Sequence, residues 1–319
     1  LSHENSLSPD LPEICLNFHT PLSFAPADKD RPWMLGASAL AKVLARSLGH
    51  LFPQLQDLAL PPAPDLRTLS WFWQFQSHSH QPRSEKGKKV REKLMGVVGP
   101  LYLRGDWSPW LPALLLASEF PIGRGTTKGQ GVCDLRKGEP FFDRELPNRT
   151  RYDSLLDDLL EESDRDDAFT NALRSPDELI DPLIADFSQG QYQPAPARLF
   201  QIPKPDGGRR PISLLSPRDA LAHRVLHHLL SPVLDRALEE SSHGFRAGRS
   251  VQTAREAIIT AFKQGYDHVV ESDFATFFDS IPWDGLTRAL HRHLPLADTA
   301  TRQLLAAVMR HPLAKTSGQ

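Results

Sequence analysis

Apolar and polar residues keep two different rhythms along this chain. From 33 to 52, "WMLGASALAKVLARSLGHLF" puts Leu35, Ala39, Leu40, Val43, Leu44 and Leu48 on one stripe, which predicts an amphipathic helix. Around it, residues 1–145 hold short apolar stretches such as "EICLNFHTPLSF" (13–24) among Pro, Trp and Gly, and read as a mixed α+β domain. The second half is more sharply punctuated. "SPDELIDPLIADFSQG" (175–190) predicts a helix capped by Ser175, with Pro176 in its first turn and Glu178 completing a capping box. Its buried face is Leu179, Ile180, Leu183, Ile184 and Phe187, and Gly190 stops it. "LFQIPKPDGGRRPISLL" (199–215) predicts two strands joined at "PDGG". "RDALAHRVLHHLLSPVLDRAL" (218–238) predicts a helix broken or kinked at Pro232, and "SVQTAREAIITAFKQG" (250–265) another ending at a glycine. "HVVESDF" (268–274) then reads as a strand that ends on a carboxylate, Asp273.

Length and charge refine this division. At 319 residues two domains are expected, 1–145 and 175–319, joined by an acidic linker, 146–174. The core of that linker, "DSLLDDLLEESDRDD" (153–167), holds eight acids and one Arg and predicts a solvated helix or hinge. Hydrophobic residues at 40%, charged residues at 24% and a mean hydropathy of −0.38 fit a globular protein. No run of 18 apolar residues exists, so no membrane partner is expected, and "LSHENSLSPD" does not read as a signal peptide. Cys15 and Cys133 are too few for a disulfide framework or a zinc cage and fit a reducing cytoplasm. The net charge of −2 excludes little, because the basic residues are clustered. The chain opens without Met and ends on "AKTSGQ", which suggests a piece of something longer.

Candidate chemistry gathers at two places. In the second half, Asp273 at a strand end is a hard oxygen donor suited to Mg²⁺. Lys204, Arg209 and Arg210 on the hairpin suit triphosphate oxygens, Arg as a fork and Lys as a point charge. Phe278 can floor a sugar pocket and exclude a 2′-hydroxyl. Acid, base and ring together suit phosphoryl transfer between two metal ions. Each piece alone also has an ordinary structural use: a turn acid, a surface hairpin, a core ring. In the first half, "RSEKGKKVREK" (83–93) carries six basic and two acidic residues, Lys86, Lys88 and Lys89 among them, a local patch for phosphates. "IGRGTTKGQG" (122–131) has four glycines with Arg124 and Lys128. It fits neither the dinucleotide nor the Walker pattern, and can instead hug an RNA backbone. His223, His227 and His228 read as helix-face or core residues, and the tryptophans Trp71, Trp73, Trp107 and Trp110 as buried rather than base-stacking.

The order of the second-half pieces is more informative than any one of them. "IPKPDGGRRPI", "SPRDALAHRVL", "SSHGFRAGRS" and an Asp followed by "FFD" resemble, over roughly 175–290, the reverse transcriptases of the group II intron and retron kind. The resemblance implies fingers and a partial palm over 175–319. It makes Asp273 the first metal-binding aspartate and the catalytic acid, with the Phe274 carbonyl as a further ligand. Phe278 becomes a sugar gate, Lys204, Arg209 and Arg210 contacts to the incoming triphosphate, and Phe245 and Arg246 the lining of the nucleotide pocket. Two Mg²⁺ ions, an RNA template, a DNA primer or product and dNTPs are implied with it. Asp279 is left as a structural acid. The family's second metal motif, an aromatic–Ala–Asp–Asp turn, is not present in these 319 residues, so a complete two-metal site is expected to need residues beyond them.

"TPLSF" (20–24), "GVVGPLYLRGD" (96–106) and "LLLASEFPIGRGTTKGQGVCDL" (114–135) resemble the C-terminal half of the CRISPR repeat-processing endoribonucleases. The resemblance implies one ferredoxin-like, RNA-binding domain. Pro121 stands where many relatives carry His, and the half of the family's fold that usually supplies the catalytic His is not matched here, so the resemblance implies RNA binding and does not extend to RNA cleavage. The two resemblances together are similar to the CRISPR adaptation fusions. They imply copying of RNA into DNA for spacer acquisition, beside a CRISPR integrase and its small adaptation partner. Two other readings stay open: a group II intron-type maturase, and a non-catalytic RNA-binding scaffold.

Overall fold

The computed structural model describes residues 11–24, 34–70, 72–80, 92–162, 168–203, 207–274 and 277–312. The chain divides into two compact units, Leu1–Glu139 and Pro140–Gln319.

The first unit is one antiparallel sheet with two helices. Strand β1 (Glu13–Leu22) leads into α1 (Ala37–Leu51), then β2 (Arg67–Leu69), β3 (Gln74–His80), β4 (Glu92–Arg104), α2 (Leu111–Glu119) and β5 (Cys133–Lys137). The path β2-β4-β1-β5, with β3 also on β4, is the βαββαβ order of a ferredoxin-like fold whose second strand comes in two pieces. β2 pairs with Tyr102–Arg104 and β3 with Glu92–Val98, so Phe72 and Trp73 drop into the gap between them, both buried. β1 is central and mostly buried, with Ile14, Cys15, Leu16, Phe18 and Leu22 in the core and His19 exposed. Leu40, Leu44 and Leu48 of α1 are buried as their helical spacing predicts. The core they join runs from Ile14 to Cys133 and includes Trp73, Trp107 and Trp110. Trp107 and Trp110 satisfy their indole N–H groups on the carbonyls of Leu11 and Pro61, which burial requires. At the sheet end, buried Glu13 accepts from Arg104 at 2.6 Å. Cys15 and Cys133 are buried free thiols.

The second unit is helical around a two-stranded hairpin. Its elements are α3 (Arg149–Glu162), α4 (Ala168–Leu173), α5 (Pro176–Ser188), β6 (Arg198–Pro203), β7 (Arg209–Leu214), α6 (Pro217–Ala237), α7 (Val251–Lys263), α8 (Phe277–Ser280), α9 (Trp283–His291) and α10 (Thr299–Met309). α3 lies within the segment expected as a linker. It is no hinge: Tyr152, Leu155, Leu156 and Leu159 are buried, and it packs on α5 and α6. Its acids take the solvent side while its leucines keep helical spacing. Ser175 begins α5 without capping it through its side chain, and Ile180, Leu183 and Phe187 form the buried face. α6 runs through Pro232 as one helix. Ser250 caps α7 in a capping box closed by Thr253. Residues 268–274 do not form the expected strand. They are exposed and carry no regular secondary structure, and they pair with no strand among the described residues. An apolar run signals a strand only where a partner receives its ladder.

Candidate functional site

In the first unit the glycine-rich stretch is a built loop. Gly131 N donates to Pro21 O at 3.0 Å, Arg124 N to Ser23 O at 2.8 Å, and Gly123 N to the Ser47 hydroxyl of α1 at 2.9 Å. Gly131 sits at φ +79°, and a Cβ there would stand 1.7 Å from the Ile122 carbonyl oxygen, so only glycine fits. Fixed this way, the loop aims Arg124 into a cleft of about 460 Å³ between itself and α1. Lys42, Arg46 and His50 enter the same cleft from α1. The sequence reading missed these three, although their i, i+4, i+8 spacing in "AKVLARSLGH" was visible beside the apolar stripe. Lys128 is exposed at the end of the loop's 3₁₀ turn and does not line the cleft. Lys86, Lys88 and Lys89 lie outside the described residues.

In the second unit the expected site residues fall on three segments. Arg209 opens β7 opposite Pro203, exposed, and Arg210 follows it opposite Ile202. Lys204, and the side chains of Arg210 and Phe278, lie outside the described residues; the backbone of Phe278 is in α8. Asp273 is exposed, and its carboxylate accepts from the Phe274 amide at 2.9 Å. The Phe274 ring tilts against Phe277, with centroids 5.9 Å apart.

Phe245 and Arg246, adjacent in sequence, behave oppositely. Phe245 is fully exposed in a left-handed conformation, φ +56°. The Arg246 guanidinium is almost buried and turned inward, onto the end of α6. It donates to Asp235 Oδ1 at 2.7 Å, to the Glu239 carbonyl at 2.7 Å and to the Ser242 carbonyl at 3.0 Å. This pairing also holds the Asp235 carboxyl below its usual range. These donors hold the loop that presents Phe245. A cation at a helix C-terminus answers unpaired carbonyls and the dipole together.

Asp273 offers the hard oxygen that Mg²⁺ prefers, and that ion keeps waters and substrate phosphates in its shell. The donor type therefore fits. Among the described residues no three His, Cys, Asp or Glu side chains come together as a metal cluster.

The remaining motif residues are structural. Asp219 of "SPRDA" is fully buried. It accepts from Tyr192 at 2.7 Å, Ala195 N at 3.1 Å and the Ser216 hydroxyl at 2.6 Å, while its own amide donates back to Ser216 at 3.1 Å. That reciprocal cap starts α6 and ties it to the segment leading into the hairpin. His223 packs edge-on against His311, with centroids 5.3 Å apart, and His227 and His228 are on the exposed helix face. Burial lowers the pKa of His223, which favours the neutral ring.

Comparison with known proteins follows the same division. Residues 202–315 match the family model "Reverse transcriptase (RNA-dependent DNA polymerase)", and residues 16–133 match "CRISPR-associated endoribonuclease Cas6". The chain is 37% identical over 113 residues to an uncharacterized 91 kDa protein in the cob intron of Schizosaccharomyces pombe, covering 35% of this chain and 14% of that protein. It is 31% identical over 130 residues to the group II intron-encoded protein LtrA of Lactococcus lactis subsp. cremoris, covering 40% and 21%. It is 30% identical over 109 residues to protein YkfC of Escherichia coli, covering 33% and 29%. The chain thus spans less than a third of the length of each of these relatives. One polypeptide carries a Cas6 endoribonuclease domain, ferredoxin-like in its strand order, followed by a reverse transcriptase domain.

Proposed function

We propose that this chain belongs to an RNA-directed DNA polymerase of CRISPR adaptation, which copies RNA into DNA so that new spacers can be acquired in antiviral defence. The observation that carries the reading is the pairing itself: a Cas6 domain and a reverse transcriptase domain in one polypeptide. An intron maturase accounts for the second domain and leaves the first without a role. In this reading the first unit holds RNA through Arg124 and Lys128 and through the basic stretch with Lys86, Lys88 and Lys89. The hairpin cations Lys204, Arg209 and Arg210 take the triphosphate of a dNTP, Phe245 borders the nucleotide, and Phe278 excludes the 2′-hydroxyl. Asp273 and the Phe274 carbonyl hold Mg²⁺, which when bound neutralises charge that develops on the reacting phosphate. Further carboxylates are needed to complete the two-ion site. The proposed setting is the cytoplasm, with a CRISPR integrase and its small adaptation partner.

The test is primer extension on an RNA template by the full-length protein. Asp273→Ala is expected to lower Mg²⁺-dependent DNA synthesis by at least about 10³-fold, since a missing metal ligand removes several kcal/mol of transition-state stabilisation. RNA affinity should change less than about twofold, because Asp273 makes no phosphate contact. Synthesis at the wild-type rate would remove Asp273 from the site. No synthesis by the unaltered protein would favour the non-catalytic scaffold.

A further inference from the structure

We infer that the cleft between α1 and the glycine-rich loop takes one unpaired nucleotide of RNA. Its phosphate would lie against Lys42, Arg46 and Arg124, and its base against the apolar wall formed by Phe24 and Val43. The inference rests on the reading that the first unit binds RNA and adds where, and in what form, a strand is held.

Four observations converge. The first is charge. Lys42 and Arg46 lie one turn apart on one face of α1, where like charges repel, and His50 follows them a turn later. The helix sequence "ASALAKVLARSLGHL" contains no acid to offset them. Among the described residues none of the three, nor Arg124, is in a salt bridge. An uncompensated cationic stripe facing a further cation across a cleft is unfavourable unless an anion sits between them. The second is shape. A concavity of about 460 Å³ is a pocket of small-molecule size and not a flat phosphate-tracking surface.

The third is the wall. Phe24, Val43 and Ala39 line the cleft, and the Phe24 ring is fixed edge-on against buried Trp73, centroids 5.8 Å apart. A held ring beside cations is the arrangement on which unpaired bases stack, and a duplex, with its bases already stacked, cannot use it. The fourth is rigidity. Ser47, buried on α1, accepts from Gly123 at 2.9 Å, so the two sides of the cleft are joined at its base. The spacing between Arg124 and the α1 cations is therefore set before any ligand arrives, and little ordering is left to bind one.

The experiment uses the full chain and a fluorescein-labelled, unstructured 12-nucleotide RNA, with affinity read by anisotropy across a salt series. Val43→Trp fills the cleft and keeps Lys42, Arg46 and Arg124; it is expected to weaken RNA binding at least fivefold. Phe24→Ala removes the stacking face and is expected to do the same; it serves as the second variant should Val43→Trp melt early. The triple change Lys42→Ala, Arg46→Ala, Arg124→Ala is expected to flatten the slope of log affinity against log salt by about 0.7 for each phosphate no longer neutralised. RNA carrying one 4-thiouridine should cross-link to the peptide containing Phe24 or Val43. If folded Val43→Trp and Phe24→Ala bind as the unaltered chain does, the cleft is not the site, although RNA binding by the first unit stands. Full displacement of the RNA by millimolar inorganic phosphate would reduce the cleft to an anion site and overturn the nucleotide. Should the unaltered chain itself fail to bind RNA, the RNA-binding reading falls with it.

Discussion

Phe245 and Arg246 show what single residues contribute here and what a motif conceals. "HGFR" names two side chains together, yet one is a buried fastener for the end of α6 and the other is exposed in a conformation that L-residues resist. A left-handed phenylalanine stores about 1 kcal/mol, and such strain persists where the surroundings impose it for a use. Phe245→Gly relieves that strain and deletes the ring. It should leave the chemical-denaturation midpoint unchanged or raised, by up to about 1 kcal/mol in unfolding free energy, while in the polymerase activity proposed above the full-length protein shows a higher KM for dNTP. A clear loss of stability would mean the ring is packed rather than displayed. The sequence named this pair but not the division of labour, because which donor turns inward depends on carbonyls left open by α6, a helix whose end no single-residue pattern announces.

Among the elements, α10 is held by an exchange of carboxylates with the turn before α3. Asp143 caps it, accepting from Thr301 N at 2.8 Å and Ala300 N at 3.0 Å, and Asp298 reaches back to accept from Phe142 N and Asp143 N at 2.8 and 2.9 Å. Asp298 is buried, and that burial, with the negative charge of Asp143 beside it, pushes its carboxyl up to about 7. The folded state thus holds a proton that an unfolded aspartate, at about 3.9, releases earlier. Its contribution is full below about pH 4 and is lost as pH rises towards 7. Asp298→Asn, which cannot ionise, should therefore gain on the unaltered chain between pH 4.5 and 7.5 in urea unfolding; parallel curves would show an ordinary carboxyl. Elements of this kind divide by legibility. α1, α5, α6 and α7 were readable because their apolar spacing and flanking Ser, Pro and Gly speak locally, and "PDGG" marked the hairpin. The split second strand of the sheet was not readable, nor was the burial of α3, because both depend on what lies across the fold. The 268–274 segment was misread for the same reason.

At the scale of the whole molecule, the two units differ in how they are built. Every residue of the first unit's core cluster, Ile14 through Cys133, comes from that unit. A domain with its own core can fold alone. Residues 11–139 expressed separately should therefore unfold in one cooperative transition by near-UV circular dichroism and retain RNA binding, whereas a gradual melt would show that this core is insufficient. The acidic run of 153–167 read as a solvated linker or hinge, since a run of acids looks the same in sequence whether its leucines face a neighbour or water. The cleft behind the glycine-rich loop was half visible: the loop and Arg124 stood out, while the α1 cations were overlooked beside a strong hydrophobic stripe. The second unit leaves large apolar side chains uncovered among the described residues: Val269 and Val270 are exposed, as are Ile258 and Phe262 of α7. Bare β-branched side chains on backbone that pairs with no strand among the described residues give other chains a place to add. Concentrated preparations of this chain should then self-associate through 268–274, and a charged residue at Val270 would be the simplest gatekeeper against it.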